Sequence, residues 1–243
     1  MEKLFGKSRE RKESRQEHWV SMSDLMAGLM MVFMLIAVTY LRLIHFERQD
    51  VKEIAYAHQE SHKAILASLR SAFPESSLQR MHAQINDDLS IEFQAAEFSF
   101  DRGSSLVPLA FRDVLLEFFP AYMTVINQHQ NNVQEVRIEG HTSSEWGEGE
   151  LGADESYFRN MELSQGRTRD VLRVCYEMPD VHSYRDWIKG RFVAVGYSSA
   201  KLKLDAFGFE DPTRSRRVTF RIITDAEMRI GKIIERFGDG PEN

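Results

Sequence analysis

The stretch "NMELSQGRTRDVLRVCYEM", residues 160–178, decides the fold of the C-terminal part of this chain. Apolar and basic residues at spacings of three and four place one set of side chains on a single helix face: Leu163, Arg167, Val171 and Val174. Strand patterns flank this predicted helix, with "NVQEVRIEGHT" (132–142) before it and "RFVAVGYS" (191–198) after it. The sequence therefore predicts a mixed domain in which helices and strands alternate.

The same alternation extends outward in both directions. The further predicted elements are a hairpin of "DLSIEFQ" (88–94) with "AEFSFD" (96–101), an amphipathic helix "PLAFRDVLLEFFPAYMTVINQ" (108–128) with Pro120 as a kink or break, and a strand "RRVTFRIIT" (216–224). Val218, Phe220 and Ile222 alternate on one side of that last strand. We predict an α+β domain of order βαβαββ over residues 84–225, followed by a C-terminal helix and tail at 226–243. Roughly 140 residues are enough for a core of their own.

Residues 46–83 are predicted to be a helical connector. Apolar residues recur there at helical spacing, namely Val51, Ile54, Ile65, Leu69 and Phe73. Pro74 limits the helix. The connector could pair with a second copy of the chain.

Composition limits the classes of function that are open to the chain. The net charge is −6, whereas nucleic-acid-binding domains are usually basic, so no direct nucleic-acid binding is expected. Cys175 is the single cysteine, which excludes an intramolecular disulfide and argues against a cysteine-built metal site. We expect no metal and no cofactor.

A long apolar segment lies near the N-terminus. Between Trp19 and Leu41 the one formally charged residue is Asp24, and this stretch of about 23 residues is long enough to span a bilayer core, which takes roughly 20. The apolar region of a cleaved signal peptide is only about 7–15 residues long. Residues 18–45 are therefore predicted to be a retained transmembrane helix, with a buried helix of a soluble domain as the alternative. Because residues 1–17 are rich in Lys and Arg, the positive-inside rule places this N-terminal tail in the cytoplasm.

Asp24 has two interpretations. It follows Ser21 and Ser23 near the start of the apolar segment, where an aspartate can cap a helix at the membrane interface. Alternatively, it lies within the hydrocarbon, faces another subunit, and takes up and releases a proton that crosses the bilayer. A single helix cannot enclose such a path, so the second interpretation requires partner helices.

Trp19, Ser21, Asp24 and the following "LMAGLMMVFMLI" (25–36) resemble the ion-carrying helix of flagellar stator B subunits, the MotB-like proteins. They are more similar still to the B subunits of Zorya anti-phage defence systems. The resemblance implies that Asp24 relays ions, expected to be H+, and that Ser21 and Ser23 are candidates to line the channel. It also implies a polytopic A subunit as partner, in a ratio of five A to two B, and a single-pass inner-membrane protein whose C-terminal domain is periplasmic.

Three ordered blocks of the C-terminal part resemble OmpA-like peptidoglycan-binding domains: "EGHTSS" (139–144), "NMELSQGRTRDV" (160–171) and "SRRVTFRI" (215–222). The resemblance implies that the peptidoglycan-binding positions are Asn160, Arg167, Arg216 and Ser143. A guanidinium such as that of Arg167 can hold a carboxylate through two parallel hydrogen bonds. His141 and Leu163 are expected to support the fold, with Leu163 in the core.

The chain departs from the OmpA-like pattern at Ser143, where that family has an aspartate. A serine cannot neutralise a cation on a ligand, and three nearby acids are candidates for the missing carboxylate: Glu145, Asp154 and Glu155. The pair Glu139 and His141 also allows a metal or hydrolytic site, although the histidine of this motif is usually structural in the family.

The leading hypothesis is a non-enzymatic B subunit of an ion-driven rotary motor, in anti-phage defence, held to the cell wall by its outer domain. Three alternatives stay open: a flagellar stator subunit, a passive wall anchor in which Asp24 is only a cap, and an enzyme acting on peptidoglycan.

Overall fold

The computed structural model describes residues 22, 25–42, 59–98, 100, 103–147, 151–225, 227 and 228. The chain divides into two compact units, Met1–Glu53 and Ile54–Asn243. Each unit is described by itself.

In the first unit, helix α1 (Leu25–Arg42) is the one helix, within the described part of the chain, that is long and apolar enough to cross a membrane. Its side chains are exposed along the whole length. Eighteen residues rise about 27 Å, close to the roughly 30 Å of a bilayer core. The hydroxyl of Thr39 donates to the carbonyl oxygens of Leu35 and Ile36, at 2.5 and 3.0 Å, so this polar group is satisfied within the helix, as hydrocarbon requires. Apart from Met22, the rest of the predicted span 18–45, with Ser21, Ser23 and Asp24, lies outside the described residues.

The second unit is a five-stranded sheet covered by helices. The strands are β1 (Ala83–Ile85), β2 (Ser90–Gln94), β3 (Val133–His141), β4 (Phe192–Gly196) and β5 (Arg217–Thr224). Their order is β1-β2-β5-β3-β4, with β3 and β4 parallel and the other neighbours antiparallel. The helices are α2 (59–72), α3 (Glu75–Arg80), α4 (Leu109–Gln128), α5 (Ala153–Glu177), α6 (Arg185–Arg191) and α7 (Pro212–Ser215), with 3-10 turns at Ala95–Phe98 and Pro179–Tyr184.

Aromatic rings dominate the core between the sheet and α4. Phe118 lies 4.9 Å from Phe93 and 5.1 Å from Phe220, measured between ring centroids. Tyr122 is fully buried beside them, and burial raises the pKa of its phenol. On β5, Val218, Phe220 and Ile222 all point into this core, as their alternation predicts. The alternate β5 residues Arg217, Thr219 and Arg221 lie on the opposite face of the sheet, so the two faces of this strand differ in polarity.

The α+β prediction is confirmed, and from β2 to β5 the order is βαβαββ as predicted, with the two short helices α6 and α7 added before β4 and β5. The predicted hairpin is wrong in its partner: β2 pairs with the short strand β1, because residues 95–98 form a 3-10 turn in which the backbone N–H of Ala95 donates to the carbonyl of Arg216. Pro120 does not break α4.

The predicted domain boundary at residue 84 is too late. Ile65, Leu69 and Phe73, assigned to the connector, lie in the same core as the sheet residues, and the ring of Phe73 is 5.1 Å from that of Phe118. Helix α2 is therefore part of the folded unit. The predicted C-terminal helix, apart from its first residues, and the connector positions Val51 and Ile54 lie outside the described residues.

Candidate functional site

A cavity of about 530 Å³ opens where β3 ends and the N-terminal half of α5 passes the sheet. The residues predicted to bind peptidoglycan all line it, although they come from three separate sequence blocks: Ser143, Asn160, Arg167 and Arg216. The other lining residues are Ala95, Phe100, Gly103, Thr142, Glu145, Trp146, Gly147 and Leu163. The structure therefore brings the three blocks together at one place.

Two glycines let α5 lie close enough to the sheet to form this cavity. A Cβ atom on Gly140, in β3, would lie 2.7 Å from the backbone oxygen of Ser164, and one on Gly196, in β4, would lie 2.6 Å from the backbone nitrogen of Gln165. The hydroxyl of Ser164 then accepts a hydrogen bond from the backbone N–H of Ser198, at 3.1 Å. This close approach fixes the helix that carries Asn160 and Arg167.

Arg167 is the principal cation of the cavity, and it is only 9% exposed. Its Nε donates to the carbonyl oxygen of Ser104 at 3.0 Å, and its guanidinium carbon lies 4.8 Å from the centre of the Phe100 ring. Burial lowers the pKa of Arg167 to about 10, with a smaller contribution from the positive charge of Arg216. The group stays protonated at neutral pH and is held in a partly dehydrated position, where an anion would gain most from it.

Asn160 shapes the loop beside the cavity. The side chain is 3% exposed, and its Nδ2 donates to the carbonyl oxygens of Ser143 and Glu145, both at 3.2 Å. The amide donors that the sequence offered to a ligand thus hold the loop instead. Asn160 is, in this geometry, a positioning residue.

A second set of hydrogen bonds holds this loop, and the sequence did not predict it. Glu210 accepts hydrogen bonds from the backbone N–H of Ser144, at 2.9 Å, and from its hydroxyl. The two residues lie 66 positions apart, and no spacing in the sequence signals the contact.

Of the three acids considered as replacements for the missing aspartate, Glu145 lines the cavity. Asp154 and Glu155 are absent from its described lining, and Glu155 pairs with Arg159 at 2.9 Å. The described wall of the cavity therefore presents two guanidinium groups and one carboxylate.

The helical spacing of Leu163 predicts that it lies in the core, and this prediction is wrong. Leu163 is half-buried and lines the cavity, because α5 extends past the core at this point.

His141 lies behind the cavity in a buried pair with Glu139. Its ring stacks on Tyr197 with centroids 5.1 Å apart, and its Nε2 is 3.4 Å from Oε2 of Glu139. Burial lowers the pKa of His141 below its ordinary value, opposed by the carboxylate of Glu139. Within the described ranges, no group of three His, Cys, Asp or Glu side chains is placed to hold a metal ion.

Comparisons with solved structures give weak likenesses. The chain is similar to a cell wall anchor of the T6SS from Pseudomonas aeruginosa (TM-score 0.43, 19% identity, 63% of this chain and 95% of that chain). It is also similar to a putative MotB-like protein from Desulfovibrio vulgaris (0.44, 15%, 71% and 94%) and to the periplasmic domain of Helicobacter pylori MotB (0.37, 16%, 62% and 87%). No family model matches the chain.

A curated relative gives a much stronger match. The Zorya protein ZorB of Escherichia coli strain Crooks is 45% identical over 236 residues, which are 97% of this chain and 100% of that protein. The match thus covers the apolar helix and the cavity-bearing unit together. The chain belongs to the ZorB family of Zorya proteins.

Proposed function

We propose that this chain is the B subunit of an ion-driven rotary motor of the stator type, anchored to peptidoglycan and acting in anti-phage defence. The observation that carries the proposal is the full-length match to ZorB, since it joins both units of the chain to one Zorya protein. The subunit has no enzymatic role in this proposal. Two copies work with five copies of a polytopic A subunit.

The cavity supports the wall-binding part of the proposal. Peptidoglycan stem peptides carry carboxylates, and Arg167 and Arg216 are two cations that line the cavity. Charge-assisted hydrogen bonds of this kind are about twice as strong as neutral ones. Glu145 is the acid placed to meet an ammonium group on the same ligand.

Helix α1 supports the membrane part. The helix has no charged side chain before Arg42. Its exposed apolar side chains suit a lipid or protein environment better than water. In the proposal, the N-terminus is cytoplasmic, the second unit is periplasmic, and the chain crosses the inner membrane once.

Asp24 is proposed to relay protons, with Ser21 and Ser23 beside the path. In sequence it directly precedes the first residue of α1. Moving one charge across 100 mV releases about 2.3 kcal/mol, enough to drive a conformational step. The A subunit would supply the remaining wall of the path.

Substituting Asp24→Asn tests the relay. We expect phage protection and proton flux to be lost while the amount of inserted protein is unchanged, because an amide cannot take up and release a proton. Asp24→Glu should keep part of the activity, and Asp50→Asn, an acid outside the apolar segment, should keep all of it. Full protection by the Asp24→Asn variant would leave a passive wall anchor as the function.

A further inference from the structure

A second cavity, of about 780 Å³, lies directly beside the first. The two share three lining residues, Gly103, Trp146 and Leu163. Trp146 thus stands between the two cavities, and a ligand that fills one can continue past this side chain into the other.

The position of Trp146 is fixed from two sides. Its indole ring approaches Gly103, where a Cβ atom would lie 3.9 Å from Cζ2 of the indole. The preceding residue, Glu145, is held through its carbonyl oxygen by Asn160. An aromatic ring that is half-buried and held in this way is a preformed stacking surface.

The second cavity differs from the first in its electrostatics. Its two arginines are already paired with acids, Arg159 with Glu155 and Arg169 with Asp170, both at 2.9 Å. The remaining polar groups include the amide of Gln165 and the carboxylate of Glu162. This wall suits a neutral ligand that makes hydrogen bonds, whereas the first cavity suits an anion.

We propose that the second cavity is a sugar subsite, in which the ring of an N-acetylated amino sugar stacks on Trp146 while the peptide attached to that sugar places its carboxylates at Arg167 and Arg216. This inference rests on the proposed wall binding and extends it. A sugar ring has an apolar face of C–H groups and a polar rim, which matches an aromatic side chain bordered by amide and carboxylate groups. Small-molecule sites commonly combine an aromatic wall with a few orienting polar groups.

The test compares two soluble ligands by calorimetric titration of the full chain in detergent. One is the free stem peptide, and the other is the same peptide attached to its disaccharide. We expect the disaccharide–peptide to bind about tenfold more tightly, a difference of about 1.4 kcal/mol.

The variant Trp146→Ala should bind the two ligands with equal affinity, because the stacking surface that distinguishes them is lost. Trp146→Phe should retain most of the difference, because the aromatic face is kept. The matched control is Phe207→Ala, which removes an aromatic side chain that is 85% exposed and lines neither cavity.

Three outcomes overturn the inference. Equal affinities of the wild type for both ligands would remove the sugar subsite and leave the proposed wall binding intact. An equal loss of both affinities in Trp146→Ala would assign Trp146 to the peptide cavity alone. Failure of the wild type to bind either ligand would overturn the wall-binding proposal and this inference together.

Discussion

Replacing Arg167 by methionine should weaken binding to the cell wall by about 10- to 150-fold and leave the fold nearly as stable as before. The guanidinium is buried, and burial lowers its pKa to about 10, which corresponds to about 3 kcal/mol against the charged form in the folded protein. Because the group stays charged in both the folded and the unfolded chain below pH 10, this cost is present throughout the physiological range.

Two contacts offset that cost. The hydrogen bond from Arg167 to the carbonyl of Ser104 involves a charged donor and contributes about 1.5–3 kcal/mol. The cation over the Phe100 ring contributes about 0.5–2 kcal/mol. Methionine removes the cost and both contacts and fills much of the same space, so the free energy of unfolding should change by no more than about 1 kcal/mol. For a unit of this size, the melting temperature then moves by less than about 4 °C.

Binding should respond very differently. Losing one charge-assisted contact to a ligand carboxylate costs about 1.5–3 kcal/mol, a factor of about 10 to 150 in the dissociation constant. The assay is co-sedimentation of the full chain in detergent with isolated sacculi, run beside a thermal melt of the same sample. Arg173→Met, an exposed arginine on the same helix that lines neither cavity, is the control and should bind as the wild type does.

Two results would refute the reasoning about Arg167. Undiminished retention on sacculi would show that the cavity is not the wall-binding site. A melting temperature lowered by more than about 8 °C, with binding lost in proportion, would show that Arg167 holds the fold together and that binding fails for that reason.

Three further predictions concern the residues around the cavity. Burial lowers the pKa of His141 below its ordinary 6.5, so the unfolded chain takes up a proton more readily than the folded chain, and the melting temperature should fall as the pH drops below about 6.5. His141→Gln should flatten this pH dependence of the melting temperature. An unchanged profile, or the same flattening in the exposed control His182→Gln, would contradict the prediction. Gly140→Ala should destabilise the protein by about 1–3 kcal/mol in chemical denaturation, since its Cβ would lie 2.7 Å from a backbone oxygen of α5, whereas Gly190→Ala, with open space around it, should not; equal stabilities would show that α5 shifts freely. Asn160→Ala should speed proteolysis within residues 142–147 and weaken sacculus binding, because this segment loses the two hydrogen bonds that Asn160 donates to it; a wild-type rate of proteolysis would show that other contacts, such as those of Glu210, hold the segment.

The sequence predicts much of the cavity because its residues sit at fixed spacings on regular elements. Asn160 and Arg167 are two turns apart on α5, and Arg216 directly precedes β5, so the helix period and the strand ends bring them to one end of the sheet. The spacing does not show which acceptor each donor group binds. The amide of Asn160 has both candidate partners within reach, a loop carbonyl or a ligand, and only the path of the loop decides between them.

Leu163 shows where periodicity misleads. It shares a helix face with Val171, which is completely buried, yet Leu163 lines the cavity. The same face of α5 carries both residues, but this face packs against the core at Val171 and borders the cavity at Leu163, where the helix passes the end of the sheet. A periodic pattern identifies the face of a helix and not where the neighbouring element ends. The hairpin error has a similar origin, because "AEFSFD" has the composition of a strand while the turn at Ala95–Phe98 redirects the chain beneath Arg216.

The charged residues that line the cavity determine which net charge of a ligand it favours. With Ser143 in the place where OmpA-like domains have an aspartate, the described lining has the two cations Arg167 and Arg216 against the single acid Glu145. A zwitterionic ligand would pair its carboxylate with the buried Arg167 and leave the exposed Arg216 without one, so the complex would lack that charge-assisted hydrogen bond. A ligand with a net negative charge would neutralise both. The cavity should therefore discriminate among wall peptides by their number of free carboxylates, favouring an uncross-linked, unamidated stem over one whose acids are masked. An equal affinity for amidated and unamidated stems would mean that Arg216 takes no part in binding.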